Sequence, residues 1–236
     1  MIERQPETIE RTEETTREVG KLVLDVIQTR RSIREGFIDR PVPNDVITEI
    51  IRGGLTAPSS KNAQPWRIHV VHRSELLDGI ASDVQNAKDA KNYVPIDPAT
   101  GEKRQWSSTV AESAKVLSEI GVGLFVENFG AFSGGRRNVV ANSNSELRRD
   151  AVTGYGLEVI GIGAMVQNMW LSAHAQGLSG VFMGDVGVAE KEIQERLGFS
   201  GDLVGVLALG YTEQLPYDKQ LRTDTVVFHT TGEEGI

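Results

Sequence analysis

One stretch of this chain can be placed before any other. From Ala151 to Gln176 runs its longest helical candidate, apolar on nearly every side around Ile160-Gly161-Ile162-Gly163-Ala164-Met165-Val166. A helix without a polar face has to be covered all round, in the centre of a domain or against another subunit. Gly161, Gly163 and Ala164 leave room there for a close neighbour. The chain has 236 residues and no Pro/Gly/Ser linker, so residues 19–236 are expected to form one domain around this helix.

The remaining pattern supplies strands to pack beside it. Trp66 to Val71 alternates, with Trp66, Ile68 and Val70 on one face. Ile120 to Val126 reads as a buried strand, Gly180 to Met183 as a short one, and Thr225 to His229 as another near the C-terminus. Leu203 to Tyr211 is nearly continuously apolar, as a central strand covered on both faces should be. Helices are expected over Val19 to Gln28, Asn44 to Gly53 with Gly53-Gly54 as its stop, around Val110, Ala114 and Leu117, and over Ala189 to Leu197. Asp83 to Ser108 and Asn128 to Asn144 read as excursions. The whole is α+β, or three-layer α/β/α. Residues 1–18, rich in Glu, Thr and Arg, read as a flexible solvated extension.

Composition removes several functions. Twenty-five Lys and Arg stand against 33 Asp and Glu, a net charge of −8, which argues against nucleic acid as a partner. With no cysteine, disulfides and thiolate chemistry are excluded. No apolar run suggests a membrane span or a signal peptide, and a cytoplasmic location is expected. His69 and His72 lie on opposite faces of a strand and cannot share a metal. Gly161-x-Gly163 falls inside a helix, so it is no dinucleotide fingerprint.

Two short segments carry chemistry. Arg30-Arg31-Ser32-Ile33-Arg34 places three guanidinium groups in five positions. They either decorate a helix C-terminus or hold a phosphate, whose oxygens match guanidinium forks. Ala57-Pro58-Ser59-Ser60-Lys61-Asn62-Ala63-Gln64-Pro65-Trp66 offers neutral hydroxyls and amides, as a polar turn or as partners for a heteroaromatic ring. Ser133-Gly134-Gly135-Arg136-Arg137 is either a flexible loop or an anion nest.

The Arg-Arg-Ser-Ile-Arg run, the Pro41-Val42-Pro43 before a helix and Ala-Pro-Ser-Ser-x-Asn-x-Gln-Pro-Trp together resemble the nitroreductase family of FMN-dependent oxidoreductases. The resemblance implies a three-layer fold with a central mixed sheet, an intertwined homodimer with active sites at its interface, and FMN reduced by NADH or NADPH. A nitroaromatic, a quinone or a similar small electron-poor molecule would then take two electrons from the same flavin face. It further implies that Arg30 and Ser32 face the FMN phosphate and ribityl end, with Arg31 a lesser contact. Arg34 would reach the pyrimidine edge of the ring, where a cation favours the anionic reduced form. Pro58, Ser59, Ser60 and Asn62 would come from the partner subunit, with Gln64 and Trp66 anchoring their loop. Met183 and Gly184 would place backbone against the ring, the Gly184 N–H donating to flavin N5, with Asp185 adjacent. Lys219 and Arg222 would add late basic contacts to the phosphate, and Thr225 to His229 would join the partner's sheet. Similar folds also support dehalogenation, flavin cleavage and substrate dehydrogenation, or a flavin carrier without turnover.

Overall fold

A computed structural model describes residues 12–88, 90–94, 96–97, 99–103, 107–221, 225 and 227. Its strands are β1 (Trp66–His72), β2 (Val122–Asn128), β3 (Ser179–Met183) and β4 (Asp202–Gly210), in the order β1-β2-β4-β3. All three pairings are antiparallel. The parallel component expected of a mixed sheet is limited to one bridge, Ser32 to Gly180. β2 and β4 are buried along almost their whole length, as central strands, which is why both read as unbroken apolar runs.

Alternation along β2 sends Leu124 to one face and Phe125 to the other, and each face carries its own core. Leu124, Val126, Leu207 and Leu209 meet α2 (Asn44–Leu55) and α6 (Arg148–Ala175) through Ile47, Ile50, Met165 and Met169. Phe125, Val181, Val206 and Ala208 meet α3 (Glu75–Asn86), α4 (Val110–Glu119) and α7 (Glu190–Leu197) through Leu77, Ile80, Leu117 and Ile193. Each such aliphatic side chain contributes roughly 2 kcal/mol by leaving water. The result is the expected three-layer α/β/α sandwich.

Several boundaries differ from the sequence reading, each for a physical reason. α1 (Glu13–Thr29) starts at Glu13 instead of Val19, because the Thr12 hydroxyl caps it by accepting from Thr15 N at 3.2 Å. α2 runs through Gly53 and Gly54 to Leu55. The two glycines do not end it; they bring α2 close to α6, and a Cβ on them would collide with Ser172 and Met169. α3 was not expected, although Leu77, Ile80, Ala81 and Val84 give it a buried stripe. α5 (Gly135–Ala141) lies in the second excursion. Of the expected Thr225 to His229 strand, Val226, Phe228 and His229 lie outside the described residues, as does Arg222.

Two helices keep apolar surface in the open. α1 has no buried residue, and Leu22 is 68% exposed. On α6, Ile160 is 70% exposed, and nothing lies within 4 Å of a Cβ built on Gly163. Among the described residues, α6 is therefore covered on one side only. No helix among the described residues is long and apolar enough to cross a membrane.

Candidate functional site

The arginine segment begins where α1 stops. Arg30 leaves helical geometry at φ −57°, ψ 132°, and its N–H returns to Val26 O at 3.3 Å. The chain then runs beside β3. Ser32 bridges Gly180, and Ile33 N donates to Gly180 O at 2.9 Å. Only glycine fits at 180, since a Cβ there would strike Ala208 O.

The three arginines meet different fates. Arg30 lies over the Trp170 ring, its Cζ 4.0 Å from the centroid, and its Nε and Nη1 are buried with no hydrogen-bond partner among the described residues. Burial, with Arg31 nearby, lowers its pKa from the ordinary arginine value. Arg31 is already committed, donating from Nε to Tyr217 O at 2.7 Å and from Nη1 to Arg30 O at 2.9 Å. It acts as a strap between the end of α1 and the segment that carries the exposed Lys219. Arg34 sits 3.4 Å from Glu112 on α4, at the surface.

The hydroxyl-amide loop is built separately. Lys61, Asn62 and Gln64 have φ of 49°, 54° and 45°, left-handed values uncommon outside glycine. Gln64 stabilises the bend, its N–H donating to Ser59 Oγ at 3.0 Å and its Nε2 to Asn62 Oδ1 at 3.2 Å. Trp66, at the start of β1, is buried in the core that β2 and β4 share with α2 and α6. Pro58 and Asn62 are exposed, and Ser59 and Ser60 are half-buried. The loop rests on α6 at Gly161, where a Cβ would stand 3.3 Å from Ser59 Cβ. Trp170, under Arg30, is nine residues further along that helix, about 13 Å away. Within one chain the two segments therefore rest on separate parts of α6.

Met183 and Gly184 end β3. The Asp185 carboxylate accepts from Thr109 Oγ1 at 2.7 Å and from Ser113 Oγ at 2.8 Å. This ties the end of β3 to the start of α4, the helix that Arg34 also reaches. The Arg30–Arg34 segment and the Met183–Gly184 backbone thus flank one edge of the sheet.

Other charged groups have partners within the fold. Glu158 on α6, fully buried, accepts from Asn128 Nδ2 at 2.9 Å, Phe132 N at 2.6 Å, Ser133 N at 2.8 Å and Ser133 Oγ at 2.7 Å. Burial alone would raise its pKa; the four donors outweigh that and hold it below the ordinary value. His69 stacks on Phe199 at 4.5 Å and lies 3.1 Å from Glu127. The nest at Gly134-Gly135 receives an internal anion, Arg136 N donating to Asp202 Oδ2 at 2.6 Å. A cleft of about 840 Å³ beside it includes Arg67 and Arg136, paired respectively with Glu127 and with Glu190 and Asp202.

Arg30 differs from all of these. A cavity of about 60 Å³ at its side is lined by Thr29, Trp170, His174, Ser179 and Gln214, room for several water-sized groups. Arg30 itself lines this space, and a guanidinium beside such a cavity suits a phosphate, the terminal group of FMN. Sequence reasoning brought neither Trp170 nor His174 into the site. Their signal is their spacing, i and i+4 on one helix.

Comparison with known proteins shows the family and the fold. The family model described as "Nitroreductase family" matches residues 27–211, well over half of the chain. A 4-nitrobenzoate reductase of Pseudomonas putida is 28% identical over 206 residues, 80% of this chain and 85% of that protein. Local matches are stronger but short. A relative from Methanothermobacter thermautotrophicus is 41% identical over 58 residues, 25% of this chain and 30% of its own length. Nitrobenzene nitroreductase of Ectopseudomonas oleovorans is 45% identical over 47 residues, 20% of each chain. Among solved structures, a nitroreductase with bound FMN from Desulfitobacterium hafniense superposes with a TM-score of 0.65 at 18% identity, covering 89% of this chain and 98% of that one. The NADPH:FMN oxidoreductase of Vibrio harveyi complexed with NAD+ gives 0.62 at 21%, covering 90% and 79%. By fold, motif order and family match, the chain belongs to the nitroreductase family.

Proposed function

We propose that the protein is an FMN-dependent oxidoreductase that uses NADH or NADPH to reduce a small electron-poor acceptor such as a nitroaromatic or a quinone. The observation that carries this reading is the half-buried Arg30 guanidinium, which lines a cavity beside the Ser32–Gly180 bridge and has two nitrogens without a partner among the described residues. The family membership and the 4-nitrobenzoate reductase likeness support the acceptor class.

FMN, when bound, supplies a ring that takes a hydride from the nicotinamide and passes two electrons on. The chain's part is binding and orientation. Arg30 and Ser32 hold the phosphate, Arg31 secures the segment behind them, and Lys219 and Arg222 add positive charge. Arg34 presents a cation to the ring, and the Met183–Gly184 backbone lies against it, Gly184 N–H serving as donor. The loop from Pro58 through Ser59 and Ser60 to Asn62 completes the site from the partner subunit. A homodimer provides that arrangement, and it would also cover the apolar surfaces that α1 and α6 leave open.

The visible absorption spectrum of the purified protein tests the reading, followed by identification of the chromophore released on denaturation. FMN at about one per chain and NAD(P)H consumption with 4-nitrobenzoate or a quinone are expected. Colourless protein that also refuses added FMN would overturn it.

A further inference from the structure

On α6, Trp170 and His174 stand four residues apart, one turn above the other on the same face. They take hold of two consecutive residues at the end of α1. Arg30 Cζ lies 4.0 Å from the centre of the Trp170 ring, and His174 Nε2 lies 2.8 Å from Thr29 Oγ1. Thr29 Oγ1 is also 2.7 Å from Asp25 O, which takes its single hydroxyl hydrogen. The hydrogen shared with His174 therefore sits on Nε2, and the imidazole is the donor. Burial and the charge of Arg30, then Arg31, lower the His174 pKa against the opposite pull of Asp25, which favours the neutral ring.

The arrangement fixes Arg30 at both levels. Thr29 is tied to α6, so the backbone enters Arg30 in one direction. The ring face supplies a cation–π contact to a guanidinium that has lost water. Two of its nitrogens, Nε and Nη1, nonetheless stay buried without partners. A charge held desolvated and unpaired costs stability unless an anion completes it. Fold packing alone would be served as well by an apolar side chain over Trp170.

We propose that Trp170 and His174 are positioning residues that hold Arg30 ready for a phosphate, and that this clamp sets the preference for phosphorylated flavin over riboflavin. The proposal rests on the reading of Arg30 as the phosphate contact. The isoalloxazine ring is common to both ligands, so the clamp acts on their ratio and not on ring binding.

The experiment measures dissociation constants for FMN and for riboflavin on the full chain freed of flavin, by quenching of flavin fluorescence. Arg30→Met comes first and should weaken FMN by about a hundredfold while leaving riboflavin within twofold. Trp170→Leu and His174→Leu should each weaken FMN by about tenfold, again sparing riboflavin. Trp170→Phe keeps a ring face and His174→Gln keeps a donor near the Nε2 position, so both should recover most of the loss. If a leucine variant fails to fold, Trp170→Met or His174→Met takes its place, with the same loss of FMN affinity expected. Equal weakening of both flavins by Trp170→Leu and His174→Leu, or unchanged FMN affinity in those two while Arg30→Met loses it, would overturn the clamp and leave the phosphate reading standing. An unchanged FMN-to-riboflavin ratio in Arg30→Met would remove the phosphate reading and the clamp together.

Discussion

Two charges are lodged against α6, and the fold treats them in opposite ways. Glu158, near the start of the helix, has four hydrogen-bond donors around its carboxylate and is fully buried. Arg30, packed on Trp170 near the other end, has a ring face beneath it and two nitrogens without partners. A charge that serves the fold is completed by the fold. A charge left incomplete at a cost points to something from outside the chain.

The largest effect that would break this comparison concerns the assembled site. Arg30→Glu and Asn62→Asp subunits should each be inactive alone. Mixed and allowed to exchange, they should recover about a quarter of native turnover, since half of randomly assorted dimers are mixed and each has one intact site. No recovery in confirmed mixed dimers would argue that both segments act within one chain.

Stability sharpens the contrast next. Glu158→Gln leaves donors facing an amide and should cost about 3 kcal/mol in urea unfolding. Arg30→Met removes an unpaired charge and keeps a favourable contact with the ring, so it should unfold no more easily, and up to about 1 kcal/mol less easily, than the native chain without flavin. If Arg30→Met proved the more damaging of the two, the distinction between a completed and an incomplete charge would be wrong.

The pH dependence follows with signs fixed by the two pKa directions. Glu158 has its folded pKa below the ordinary 4.5, so its contribution is present above that value and is lost as pH falls through the folded pKa. An acid titration of thermal stability should flatten on that limb in Glu158→Gln. His174 is also lowered, from 6.5, so the unfolded chain binds more protons just below that pH. Stability should be full above about 6.5 and decline below it, the smallest of these effects, and His174→Gln should abolish that decline.

What the sequence made legible was local. The apolar runs of β2 and β4 each lie within one element, where burial dictates residue type directly, whereas the β1 alternation did not carry over, Val70 being exposed and Val71 buried. The arginine cluster and the Pro58 to Gln64 loop were visible for the same reason, as dense runs of one chemistry. Residues that matter through distant contact left fainter traces. Trp170 and His174 meet Arg30 and Thr29 across about 140 positions, and nothing near them in sequence announces that. Glu158 did leave a mark, as the one carboxylate between Ala151 and Gln176. The buried stripe of α3, Leu77, Ile80, Ala81 and Val84, is short and runs directly into the unpatterned stretch from Asp83, which masks its period. The start of α1 depended on a single hydroxyl at Thr12, a detail no periodicity contains.

Gly180 joins two matters usually studied apart. It lies inside β3, pressed on the Ala208 carbonyl, and it is also where the arginine segment attaches, through the Ser32 bridge and the Ile33 N–H. On the proposed reading of that segment, peeling the sheet edge away and releasing the flavin should be a single event. Colour retained through a heating ramp would then gauge the integrity of the edge, and a library of variants could be sorted for folding by eye, from the yellow of its colonies.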